Sequence, residues 1–145
     1  MVINTPNAIN RKKGGKLRRK MAKSDVKEIK WLPDVEEHDY PAAESYLRLL
    51  YNDDRVAEIM IRFRNSAIVQ FKAKDIFRAS RLSLLGVSNL HVEKDRKKIL
   101  NGKSLSPLLL LRDEPNGIVV IADGYHRLCA IYEFNEDALI PCKII

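Results

Sequence analysis

The run Asp123-Gly124-Tyr125-His126-Arg127 places a carboxylate, a glycine, a phenol, an imidazole and a guanidinium side by side. The preceding Ile118-Val119-Val120-Ile121-Ala122 is β-branched and apolar and reads as a buried strand. Leu128-Cys129-Ala130-Ile131-Tyr132 follows and can form a helix. A strand that turns through glycine into a helix presents backbone N–H groups with no intrahelical acceptor, together with about half a unit of positive charge. Such a start takes anions. Arg127 adds a planar fork that can grip phosphate or carboxylate, and His126 an imidazole suited to phosphate binding or to proton transfer. Without an anion, Gly124 is a turn residue, Arg127 a surface charge, His126 a residue that shapes the turn, and Asp123 a helix cap.

A second set of groups lies in residues 72–81, where Lys72, Lys74, Arg78, Ser80 and Arg81 surround the apolar Ile76 and Phe77. These side chains are the expected second wall of a phosphate or base site. The alternative is an amphipathic surface turn anchored by Ile76 and Phe77. Asp75, set among those cations, is either a salt-bridge partner or, with Asp123 and His126, a candidate catalytic group. Cys129 and Cys142 fall in predicted core elements and read as reduced thiols, although their spacing leaves a disulfide open. His38, His91 and His126 are scattered, so no metal site is expected.

The elements that must position these groups follow from periodicity and punctuation. Residues 27–33 read as an extended lead-in. Asp39 is the expected N-cap of a helix with Pro41 in its first turn and Ala43, Tyr46, Leu47, Leu50 and Tyr51 at helical spacing. Asn52-Asp53-Asp54 breaks it and caps a second helix, reaching about Arg64, with Val56, Ile59, Met60 and Phe63 on one face. Strands are expected at residues 67–71, 108–111, 118–122 and 140–145. A charged helix spans residues 91–100 and ends at Asn101-Gly102. A turn occupies residues 113–117.

At 145 residues the chain is long enough for a core, and 46% hydrophobic and 31% charged residues are normal for a globular protein. No apolar run approaches the roughly 20 residues needed to span a bilayer. The N-terminus lacks an apolar secretory core, so no membrane role and a cytoplasmic location are expected. The net charge is +7, yet residues 1–24 alone hold eight basic residues and no acid. The remaining 18 basic and 19 acidic residues balance to −1. Residues 1–24 therefore read as a disordered basic tail, and residues 25–145 as a single α/β domain with a helical part at 25–65 and a core at 66–145. The tail is either a solvated extension or, through residues 11–23, a contact for nucleic acid.

From residue 66 onward, three motifs stand in order: Gly102-Lys103-Ser104-Leu105-Ser106-Pro107-Leu108-Leu109, then Asp123-Gly124-Tyr125-His126-Arg127-Leu128-Cys129-Ala130, then Ile140-Pro141-Cys142. Together they resemble the nucleotide-binding domain shared by ParB partition proteins and sulfiredoxin. The resemblance implies a small mixed β-sheet with flanking helices, here preceded by a helical hairpin. It also implies contact between nucleotide phosphates and Gly124, Tyr125, His126 and Arg127. Tyr125 occupies the place of the sulfiredoxin nucleophilic cysteine and cannot do its chemistry, and a helix-turn-helix domain of the ParB kind is not expected. Other members resemble small-molecule kinases, in which ATP or CTP with magnesium donates phosphate to a hydroxyl. Asp75, Asp123, Glu36 and Glu37 are the carboxylates such a reaction draws on. The expected function is thus the binding of a nucleotide or other phosphorylated small molecule, extending to phosphotransfer or hydrolysis. The rival is a non-catalytic DNA- or RNA-binding module that uses the basic tail.

Overall fold

Leu108-Leu109-Leu110-Leu111 is apolar at every position because it runs through the middle of the molecule with both faces covered. The computed structural model describes residues 28–86 and 89–145; the basic tail, residues 1–24, lies outside the described residues. Four strands form one mixed sheet: β1 (Val69–Lys72), β2 (Leu108–Asp113), β3 (Ile118–Asp123) and β4 (Leu139–Ile144). Their order is β1-β4-β2-β3, with β4 antiparallel to β1 and parallel to β2, and β3 antiparallel to β2. A 3-10 turn at Glu114–Asn116, closed by Gly117 with φ 64°, joins β2 to β3.

Two helices, α1 (Asp39–Leu47) and α2 (Asp53–Asn65), cover one face of the sheet. Tyr40, Ala43 and Leu47 of α1 and Val56, Ile59, Met60 and Phe63 of α2 pack on Leu109, Leu111 and Ala122. Three helices, α3 (Ala73–Ser80), α4 (Leu90–Leu100) and α5 (Tyr125–Phe134), cover the other. Their Ala73, Ile76, Val92, Ile99, Leu128 and Ile131 pack on Leu108, Leu110, Ile121, Ile140 and Cys142. Odd and even residues of β2 thus serve different cores, as the period of two along a strand requires. The mixed sheet with flanking helices expected from the sequence is the observed architecture.

Three local readings change. Asp39 is not an N-cap: it is the first residue of α1, whose N-cap His38 makes no side-chain cap, and the Asp39 carboxylate turns inward to Ser106 and Arg127. Helix α1 also ends at Leu47, with Leu50 and Tyr51 in the turn beyond it. Residues 73–80 form a helix rather than a surface turn, with Ala73, Ile76 and Ser80 inward. The cap at Asn52 is as read, accepting from the Arg55 N–H, and the structure adds one at Asn89, which accepts from the His91 and Val92 N–H groups. The lead-in segment runs alongside the connection into β2, where Trp31 bridges to Leu105 in parallel. Lys143, only 4% exposed, donates to the Tyr40 hydroxyl at 3.1 Å and the Arg64 carbonyl at 3.3 Å. These bonds carry the cost of burying its ammonium between the sheet and the helical pair.

Candidate functional site

Strand β3 ends at Asp123, and Gly124 reverses the chain with φ 112° before α5 begins. A side chain at Gly124 would be strained at that φ, and an added Cβ would lie 2.6 Å from Leu108 Cγ. The glycine is therefore required by the close approach of β2 itself. Gly124 offers no side-chain cap, and the first intrahelical bond of α5 runs from the Leu128 N–H to the Gly124 carbonyl at 2.9 Å. The N–H groups of Tyr125, His126 and Arg127 thus precede the hydrogen-bonded ladder. The start of α3 differs, because the Ala138 and Glu136 carbonyls accept from the Ala73 and Lys74 N–H groups, each at 2.9 Å.

A cavity of about 180 Å³ opens in front of the α5 start. One wall is the Asp123–Arg127 turn; the other is the face of α4 that carries His91, Lys94, Asp95 and Lys98. The imidazoles of His91 and His126 meet across it with ring centres 4.9 Å apart. Lys98 Nζ stands 4.0 Å from the Asp95 carboxylate. Burial pushes Asp95 above the ordinary carboxylate range, while Arg127 and Lys98 act in the opposite direction. His126 is lowered from its ordinary value, chiefly by burial and next by neighbouring His91, with Asp95 opposing. It is therefore a neutral imidazole near pH 7 that an incoming anion would help to protonate.

Arg127 is not a free cation. Its Nη2 donates to Asp123 at 3.1 Å, to Asp39 at 3.3 Å and to the Pro107 carbonyl at 3.3 Å. The Asp39 side chain is 5% exposed and also accepts from the Ser106 hydroxyl at 2.6 Å. Burial raises the Asp123 carboxyl and its neighbour Asp39 adds to that, whereas Arg127 draws it down. The Arg127 Nε is buried with no hydrogen-bond partner among the described residues. The guanidinium thus ties α1 to the α5 turn and also forms part of the cavity wall. The Tyr125 hydroxyl donates to the Ser83 carbonyl, and Cys129 Sγ accepts from the Leu85 N–H at 3.5 Å, which fixes residues 82–86 against α5. Both cysteines are free and buried, and burial raises both thiols, Cys142 to about 12. Neither is a nucleophile at neutral pH.

The structure brings together Asp123, Gly124, Tyr125, His126 and Arg127, and it does not bring Lys72, Lys74, Asp75, Arg78 or Ser80 to them. Lys74 pairs with Asp137 at 2.6 Å, and Arg78 with Asp75 at 3.5 Å. Asp75 lines a separate, mostly apolar groove of about 250 Å³ with Ile76, Leu110 and Ile144. The Ser80 hydroxyl donates to the Phe77 carbonyl of its own helix, and Arg81 ends α3 in the left-handed region with φ 59°. The second wall of the cavity is instead α4, a helix that the sequence reading did not link to the turn. Its signal was the spacing of His91, Lys94, Asp95 and Lys98 on one helix face. Among the described residues no group of three or more His, Cys, Asp or Glu side chains is placed to hold a metal ion. No described helix is long and apolar enough to cross a membrane. Comparison with protein-family models, with curated proteins and with solved structures finds no match.

Proposed function

We propose that the protein binds the phosphate groups of a nucleotide or other phosphorylated small molecule in the cavity between α5 and α4. The observation that carries this reading is the convergence there of the uncapped α5 start with His126, His91, Lys94 and Lys98. Backbone donors, a helix dipole, two ammonium groups and two imidazoles all favour a multiply charged oxyanion. The motif order that resembles the ParB and sulfiredoxin domain supports the same turn as the phosphate cradle. Asp123 is held by Arg127, so a magnesium ion would arrive bound to the ligand's own phosphates, as hard cations with few protein ligands do. Phosphotransfer from such a ligand would draw on His126, Asp95 or Asp123, the titratable groups that line the cavity.

The test is a thermal-shift panel of ATP, CTP, GTP and their diphosphates, with and without magnesium. A ligand at 100 times its dissociation constant should stabilise the fold by about 2.7 kcal/mol. A panel in which no nucleotide raises the melting temperature overturns the nucleotide reading.

A further inference from the structure

The basic face of α4 is longer than one phosphate. His91, Lys94 and Lys98 fall at positions i, i+3 and i+7, a stripe about 10 Å long at 1.5 Å per residue. The α5 start faces one end of it, because His126 packs against His91. A single phosphate held there does not reach Lys98, almost two turns further along, which stands instead 4.0 Å from the Asp95 carboxylate. The cavity, at about 180 Å³, is also smaller than the roughly 300 Å³ or more of ordinary ligand sites, so it takes the charged part of a nucleotide and leaves the base outside. Lys94 and Lys98 are exposed along this wall. The acidic group of α4 that lines the cavity is Asp95, which stands between the two lysines in sequence and pairs with Lys98, whereas Glu93 pairs with Arg96.

Resting on the reading of the cavity as a phosphate site, we infer that it recognises a linear chain of two or more phosphates, whether inorganic or carried by a nucleoside, and does not select the base. The first phosphate meets the α5 N–H groups and His126, and the following ones track α4 past Lys94 to Lys98. On binding, Lys98 exchanges the Asp95 carboxylate for a phosphate oxygen. Arg127 stays with Asp39 and Asp123 throughout.

The experiment titrates full-length protein with orthophosphate, pyrophosphate, tripolyphosphate, ATP and CTP by calorimetry, at fixed ionic strength and without magnesium. Wild type, Lys98→Gln and Asp95→Asn are compared, so the basic tail contributes equally to every arm. Affinity should climb with chain length in the wild type, with ATP and CTP close to tripolyphosphate. Lys98→Gln should weaken tripolyphosphate and ATP by about fivefold, the upper end for an exposed charge pair, and leave orthophosphate unchanged. Asp95→Asn should tighten the long anions. Tripolyphosphate binding equal in wild type and Lys98→Gln overturns the inference while leaving a phosphate site in place. Tight ATP or CTP binding without tripolyphosphate binding overturns it in favour of base recognition. Absence of binding by every anion overturns the inference and the phosphate site together.

Discussion

Gly124 has to be glycine for reasons internal to the fold, since an added methyl meets Leu108 at 2.6 Å and Arg127 Nη2 at 3.0 Å. Gly124→Ala should destabilise by about 1–3 kcal/mol from its φ alone, read as a fall in the urea midpoint, and an unchanged midpoint would refute that account. Arg127 carries the larger effect. Removing it strands Asp39, 5% exposed, and Asp123, 19% exposed, so Arg127→Ala should cost about 3–5 kcal/mol. The gap between wild type and variant should narrow as pH falls toward 5, because burial already raises Asp123 and a protonated carboxyl no longer needs its cation. A pH-independent gap would argue against the ion pair as its source. His126 gives the opposite sign. Its folded pKa lies below the ordinary 6.5, so from 6.5 down to that value the unfolded chain binds more protons and the free protein loses stability. A bound polyphosphate favours the imidazolium, so affinity should rise from pH 8 to pH 6, and His126→Gln should flatten the rise. The turn residues were legible because their types and order are local. The engagement of Arg127 was not, because its partner Asp39 lies 88 positions away and belongs to a helix whose docking no local pattern encodes.

Strand β2 shows how much an element's own sequence reveals. Four consecutive leucines, each 2% exposed or less, could mark a buried strand or a short buried helix segment; Pro107 before them and the turn after them decide for a strand. With both faces covered, Leu109→Ala and Leu110→Ala should each lose about 2–5 kcal/mol although they serve opposite cores. Leu139→Ala on β4, 53% exposed, should lose far less, and chemical denaturation of the three variants checks the contrast. Were Leu109→Ala as mild as Leu139→Ala, α1 and α2 would not be packed on the sheet as described. Helix α2 was readable from Asn52, whose side chain caps it, and α4 from its charged residues and the Asn101-Gly102 stop. Helix α3 was harder, since the Lys74 and Ala73 N–H groups at its start bond to backbone carbonyls of residues 136 and 138, a long-range cap with no sequence mark. The docking of α4 against α5 is likewise tertiary. That is why the basic stripe on α4 was visible in the sequence as a charged helix but not as a wall of the cavity.

At the scale of the whole molecule, charge is divided unevenly: eight basic residues lie in residues 1–24, and the other 121 residues balance to −1. In the proposed site, binding of a small phosphate chain would depend on local donors at α5 and α4, so deletion of residues 1–24 should leave affinity for ATP or tripolyphosphate within a small factor of full length. Binding of duplex DNA is governed by the number of phosphates neutralised, each contributing about −0.9 to the slope of log affinity against log salt. If the tail contacts nucleic acid, the full-length protein should show a steep slope that collapses on deletion. The decisive measurement is paired, with both proteins titrated with mononucleotide and with duplex DNA at two salt concentrations. Retention of mononucleotide binding by the folded deletion variant supports a site built from Gly124, His126 and the α4 cations. Its loss, with the domain still folded, counts directly against that site. DNA binding confined to the full-length protein, with no mononucleotide binding by either, would make the chain a nucleic-acid-binding module. The cavity at α5 would then hold the phosphate of no small ligand, and the α5 start would serve only the turn that Gly124 makes.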